Sequence, residues 1–88
     1  MTKPSKEQYT EAAADALHEV LRAREMWPGM NSAHEGYAVM LEEFDELKAH
    51  VWANQKKRDY PAMRKEAIQV AAMALAFVVE ICDQENRT

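Results

Sequence analysis

Apolar residues recur at three- and four-residue intervals in three stretches of this chain, separated by two polar or proline-containing breaks. That pattern predicts three helices. The first runs from about Lys6 to Met26. Tyr9, Ala13, Ala16, Leu17, Val20, Leu21 and the stem of Arg24 form its apolar face, and Glu11, Asp15, His18, Glu19 and Arg22 form a charged face read as solvated. Ser5 is placed to cap it. Trp27-Pro28-Gly29-Met30-Asn31 ends it, because Pro28 disfavours helix at Trp27 and Gly29 tolerates a turn. Ser32 and Glu35 then have capping-box spacing and open a second helix that reaches about Gln55. Its expected buried face is Tyr37, Met40, Phe44, Leu47 and Val51. Glu35, Glu42 and Glu46 share a neighbouring stripe, with Glu43 between that stripe and the apolar face. A polar connector, Asn54 to Tyr60, leads to the third helix, capped by Asp59 or Tyr60, with Pro61 at its first position. This helix runs to about Gln84. From Ile68 to Cys82 it is apolar nearly all round, Gln69 and Glu80 apart, so it must be surrounded by other helices.

The expected fold is therefore all-α, with three long helices per chain forming an oligomeric helical bundle. Residues 1–88 read as a single domain, with 1–5 and 85–88 frayed. At 88 residues and 48% hydrophobic content, the chain holds more apolar material than three helices hide comfortably. A chain this short buries only about 60% of the surface it exposes when unfolded. Oligomerisation, as a homodimer at least, is the natural outlet.

The net charge of -4 and pI near 5.3 argue against binding to a nucleic-acid backbone. One cysteine, Cys82, excludes an internal disulfide framework, suits a reducing compartment and reads as a packed small residue. The N-terminus has no apolar core of a signal peptide, and the longest apolar run, Val70 to Val79, is about half a membrane span. No membrane partner is expected, and the expected location is cytoplasmic.

The short connector makes the second and third helices antiparallel. A turn near Lys57 then sets Glu43 level with Gln69 and Glu46 level with Glu66. One hairpin thus gathers three carboxylates and an amide oxygen around one point. Crowded carboxylates repel, and uncompensated they cost several kcal/mol or take up protons. A hard divalent cation removes the conflict. Mg²⁺, for which Mn²⁺ can substitute, prefers oxygen ligands and completes its shell with substrate phosphates, so a phosphate compound is the expected substrate.

The pattern Glu43-x-x-Glu46 followed by Glu66-x-x-Gln69, with the flanking HEGYAVMLEE and RKEAIQVAAMA stretches, resembles the ExxE…ExxD signature of the MazG-like all-α nucleoside triphosphate pyrophosphohydrolases. The likeness covers His34 to about Asp83. It implies Mg²⁺-dependent hydrolysis of a (deoxy)nucleoside triphosphate to the monophosphate and pyrophosphate, and assembly as a homodimer or as a homotetramer built as a dimer of dimers. Glu43, Glu46 and Glu66 would be metal ligands, with Gln69 where the family has aspartate. An amide oxygen can coordinate but adds no charge and cannot act as a base. Glu42 or Glu46 is placed to take the proton from water. Arg58, Arg64 and Lys65, with Lys56 and Lys57, cluster at the turn as phosphate ligands or as a solvated turn. Trp27, Met30 and Asn31 either cover the end of the core or line a pocket for a flat base.

Other signals carry less. His34-Glu35 begins a zincin-like motif, but Ala38 stands where its second histidine belongs. Glu80-x-x-Asp83 repeats the spacing near the chain end, as a supporting or solvated pair with Glu80 a further candidate ligand. Met40, Met63 and Met73 read as core filler. Against the enzyme stand two alternatives: a non-catalytic helical oligomerisation module, and a degenerate family member that binds nucleotide and metal without turnover.

Overall fold

The computed structural model describes residues 2–84, and among them there are three α-helices and no strand. Helix α1 spans Lys6–Met26, α2 Ala33–Val51 and α3 Tyr60–Glu80, with 3-10 turns at Gln55–Lys57 and Cys82–Gln84. No helix among the described residues is long and apolar enough to cross a membrane.

Each N-terminus is set by a side chain satisfying amides that the helix itself leaves unpaired. Ser5 and Gln8 form a full capping box: Gln8 N donates to Ser5 Oγ at 3.2 Å, and Ser5 N to Gln8 Oε1 at 2.7 Å. Ser32 Oγ accepts from Glu35 N at 3.1 Å, but the Glu35 carboxylate reaches past it to Asn31, accepting from its N and Nδ2. Asp59 is the cap of α3, accepting from Ala62 N at 3.1 Å, with Pro61 inside the first turn.

Helix α2 stops at Val51, short of the expected Gln55. The Arg58 guanidinium closes its end, donating from Nε and an Nη to the Val51 carbonyl at 3.2 and 2.9 Å, while Asn54 caps the 3-10 turn. Helix α3 stops at Glu80, and the expected stretch to Gln84 is completed by the second 3-10 turn. Cys82 lies exposed on that turn and is not packed.

Helix α3 is central, and both α1 and α2 pack against it. The hairpin α2–α3 is antiparallel. Helix α1 runs parallel to α3, since Asp15 meets Arg64 and, further along both, Arg24 meets Glu80. The core is built of small residues and methionine: Ala23, Met30, Ala72, Met73 and Ala76, flanked by Val20, Val39, Met40, Phe77 and Ile81. Met73 is buried, while Met40 and Met63 are only half-buried.

Two buried faces are rotated from the expected ones. On α1 the inner positions are Ala12, Ala16, Glu19, Val20 and Ala23, whereas Tyr9, Leu17 and Leu21 are exposed. The alanines win because α3 presents Ala72 and Ala76, and small residues on both sides allow close approach. On α2 the inner face is Gly36, Val39, Met40, Glu43, Leu47 and Val51. Tyr37 and Phe44 stand 63% and 53% exposed. Gly36 decides this: a Cβ there would lie 2.7 Å from Phe77 Cδ2 and 2.9 Å from Met30 Sδ, so α3 approaches along the glycine edge and leaves Tyr37 on the flank.

Candidate metal centre and adjoining cavity

The antiparallel register of α2 and α3 brings carboxylate oxygens of Glu43, Glu46 and Glu66 within 4.8 Å of one another. Glu43 and Glu46 lie one turn apart on α2, and Glu66 faces them from α3. Glu43 and Glu66 are half-buried and Glu46 is exposed, so the cluster opens to solvent on one side.

The electrostatics concentrate on Glu43. Burial pushes its carboxyl above the usual carboxylate range, and the negative charges of Glu46 and Glu66, a hydrogen bond with Glu46 and the charge of Glu42 push it further. Its Oε2 is buried with no protein hydrogen-bond partner. An acceptor-only oxygen shut off from water and from donors is costly, and a cation lying between the carboxylates would satisfy it. An all-oxygen donor set suits Mg²⁺ or Mn²⁺ rather than softer metals. The residues present fit such an ion.

Gln69, one turn beyond Glu66, looks towards α1. It lies beside Glu19, whose carboxylate is held by Arg22 and is lowered from the usual range, first by Arg22, with Gln69 a smaller contributor. Gln69 also lines, with Glu43, a cavity of about 370 Å³. The other walls of that cavity include Trp27, Pro28 and Met30 from the loop after α1, and Val39, Glu42 and Met73. The cavity is thus lined by carboxylates as well as by aromatic and apolar side chains.

The expected ligand-binding residues separate into two groups. Trp27 lines the cavity and is 63% exposed, while Met30 both lines it and is buried in the core, so the loop covers the core and walls a pocket at once. Asn31 is tied to Glu35 and does not line the cavity. Arg64 and Lys65 line a neighbouring trough of about 480 Å³ between α1 and α3, which shares Glu19, Arg22 and Gln69 with the cavity. Arg64 is paired there with Asp15 at 2.7 Å. Arg58 lines neither space, being spent on the Val51 carbonyl.

Sequence reading missed Arg22, Arg24 and Glu19, all assigned to a solvated face or a buried stem. The signal that could have found Glu19 is its place at spacing 16, 19, 23 with two alanines, which puts it on an inner face. Glu80 was a candidate ligand, and the structure places it elsewhere. Its carboxylate accepts from Arg24 Nε at 2.6 Å, an Arg24 Nη at 2.7 Å and Met30 N at 2.9 Å, and these donors hold its pKa below the usual range, Arg24 first.

No protein-family model, curated protein or solved structure matches the chain. Its function has to be argued from its own residues.

Proposed function

We propose that the chain is a Mg²⁺-dependent nucleoside triphosphate pyrophosphohydrolase, in keeping with the MazG-like pattern of Glu43, Glu46, Glu66 and Gln69. One observation carries the reading. Three carboxylates converge from two helices, and the buried Oε2 of Glu43 among them has no protein partner, at the edge of a cavity that Trp27 also lines. A solvated acidic patch has no reason to bury one of its oxygens.

Glu43, Glu46 and Glu66 would hold the metal, with Gln69 beside them. When bound, Mg²⁺ supplies Lewis acidity towards water and phosphate oxygens and offsets charge on the leaving pyrophosphate. Glu42 and Glu46, both exposed, are the carboxylates placed to accept a proton as water attacks phosphorus and the bond to pyrophosphate breaks. Arg22, which lines both the cavity and the trough and is paired with Glu19, and Lys65 in the trough offer cations for phosphate oxygens. Trp27, on the wall of the cavity, offers a face on which a base can stack.

The exposed Tyr37, Leu41 and Phe44 on α2 and Leu75, Val78 and Val79 on α3 support assembly as a homodimer or homotetramer. The place of Gln69 beside Glu19 and Arg22, lining both the cavity and the trough, favours a second reading, in which the amide serves α1 and the protein binds metal and nucleotide without turnover.

Incubation of the native chain with each common (deoxy)nucleoside triphosphate and Mg²⁺ or Mn²⁺, with pyrophosphate release as the readout, separates the two. We expect turnover, lost in Glu46→Ala and Glu66→Ala by more than the roughly 10–100-fold that even outer groups of a metal site are worth. Circular dichroism should be unchanged in both variants. A metal-induced thermal shift without turnover would select the non-catalytic reading.

A further inference from the structure

We propose that Glu80 is a positioning residue for the ligand cavity: through Arg24 and the Met30 amide it locks the Trp27–Met30 loop in the shape that receives the base. The inference rests on the nucleotide reading of the cavity, but its own geometry is independent of the metal cluster.

The loop that walls the cavity has no secondary structure to hold it. Its Trp27 amide donates to the Ala23 carbonyl at 2.7 Å, and beyond that it is pinned at three further places. The Met30 amide donates to Glu80 Oε1 at 2.9 Å. The Met30 side chain is buried against Phe77 and the bare edge of Gly36. The Asn31 amide donates to Glu35. Of these polar ties, the one to Glu80 reaches across the fold, from the end of α1 to the end of α3.

Arg24 completes the lock. Its guanidinium grips both oxygens of Glu80 in a bidentate fork, which fixes the carboxylate in angle as well as in place. Arg24 itself lines the cavity, and its Nε end is held away from any phosphate by this pairing. Gly29 leaves room for this approach: a Cβ there would sit 3.2 Å from Glu80 Oε1, so the carboxylate would have to give by a few tenths of an ångström. Loop, glycine, arginine and glutamate thus form one unit, and Glu80 lies outside the cavity that the unit shapes. A preorganised wall saves the cost of ordering the loop when the ligand arrives. Loss of the lock should therefore appear as weaker binding, with chemistry at the carboxylates left intact.

The test is steady-state hydrolysis of the preferred nucleoside triphosphate by the full chain with saturating Mg²⁺, comparing native, Glu80→Gln and Gly29→Ala. Glu80→Gln keeps shape and removes charge, while Gly29→Ala keeps both charges and pushes the carboxylate away from the loop. We expect KM to rise about tenfold in Glu80→Gln and in the same direction, but less, in Gly29→Ala. The kcat should stay within about twofold and the Mg²⁺-induced thermal shift should be unchanged. In a Trp52→Phe background, Trp27 emission should become more accessible to acrylamide in both variants. A purely structural role would lower the active fraction and leave KM as it is. Unchanged KM in folded Glu80→Gln, or, if that variant does not fold, in Gly29→Ala, overturns the inference alone. A native chain that neither binds nor hydrolyses any nucleotide overturns the nucleotide reading, and the inference falls with it.

Discussion

Glu43 and Glu80 are both half-buried glutamates, and their surroundings drive them in opposite directions. Burial and like charges raise the Glu43 carboxyl, so its folded state holds a proton more tightly than the unfolded chain does. Its contribution to stability is present at low pH and is lost as pH rises through its raised folded value. Mg²⁺ should reverse that loss, because the ion binds only the ionised cluster. We therefore expect Mg²⁺ affinity, measured by calorimetry, to increase with pH from just above the ordinary carboxylate range, and the dependence to flatten in Glu43→Gln. In metal-free buffer near neutral pH, the same variant should melt higher than the native chain.

Glu80 behaves in the contrary sense. Arg24 and the Met30 amide lower it, so its contribution is present above the unfolded carboxylate range and is lost as pH falls through its folded value. Hydrogen bonds to a charged group are worth about 1.5–3 kcal/mol each at most. Glu80→Gln should lower the melting midpoint near neutral pH, and the gap from the native chain should close in acid.

At the level of the element, the helices themselves were legible, and the faces they bury only in part: Ala16, Val20, Met40, Leu47 and Val51 lie inward as expected, the bulkier residues beside them do not. Ser5, Ser32 and Asp59 announce three helix starts, and proline and glycine announce the break after α1. Apolar periodicity favours the bulky stripe of α1, Tyr9, Leu17 and Leu21, but packing against Ala72 and Ala76 selects the alanines instead. A periodicity scan weighs a side chain by how much it dislikes water, whereas close helix contact weighs it by how little room it takes. Glu43 and Glu66 were legible because two turns of sequence spacing and one short connector fix their meeting. The loop contacts of Glu80 were not, since nothing local marks a partner from the far end of the chain.

Gly36 gives that lesson a number. Alanine is normally favoured over glycine inside a helix by about 1 kcal/mol. Here the added methyl would stand 2.7 Å from Phe77 and 2.9 Å from the Met30 sulfur. The methionine can move aside, but the ring must shift with α3. Overpacking of this kind costs about 1–3 kcal/mol, so Gly36→Ala should destabilise on balance, as chemical denaturation would register.

For the molecule as a whole, the unspent apolar surface is the dominant fact. Tyr37, Leu41 and Phe44 follow helical spacing along the outside of α2, and Leu75 and Val78 do so on α3. A small domain gains most by covering such a face with its own copy, because a second hairpin brings matching length and spacing. Sedimentation of the native chain should give a dimer or larger species. Phe44→Glu and Val78→Glu should shift it towards monomer with a lower melting midpoint.

The alanine seam between α1 and α3 has a consequence for how the chain opens. Hairpin α2–α3 is made of neighbours in sequence, while α1 must close a much longer loop to dock on α3, and it does so through side chains that each remove little area from water. Beyond that packing, its polar ties to α3 are the ion pairs with Arg64 and Glu80. Helix α1 is thus the natural first unit to detach, and its backbone amides should exchange with solvent well before those at the middle of α3. Since α1 carries Glu19, Arg22 and Arg24 and leads directly into Trp27, each such opening would dismantle one wall of the cavity and leave the three carboxylates of the hairpin together.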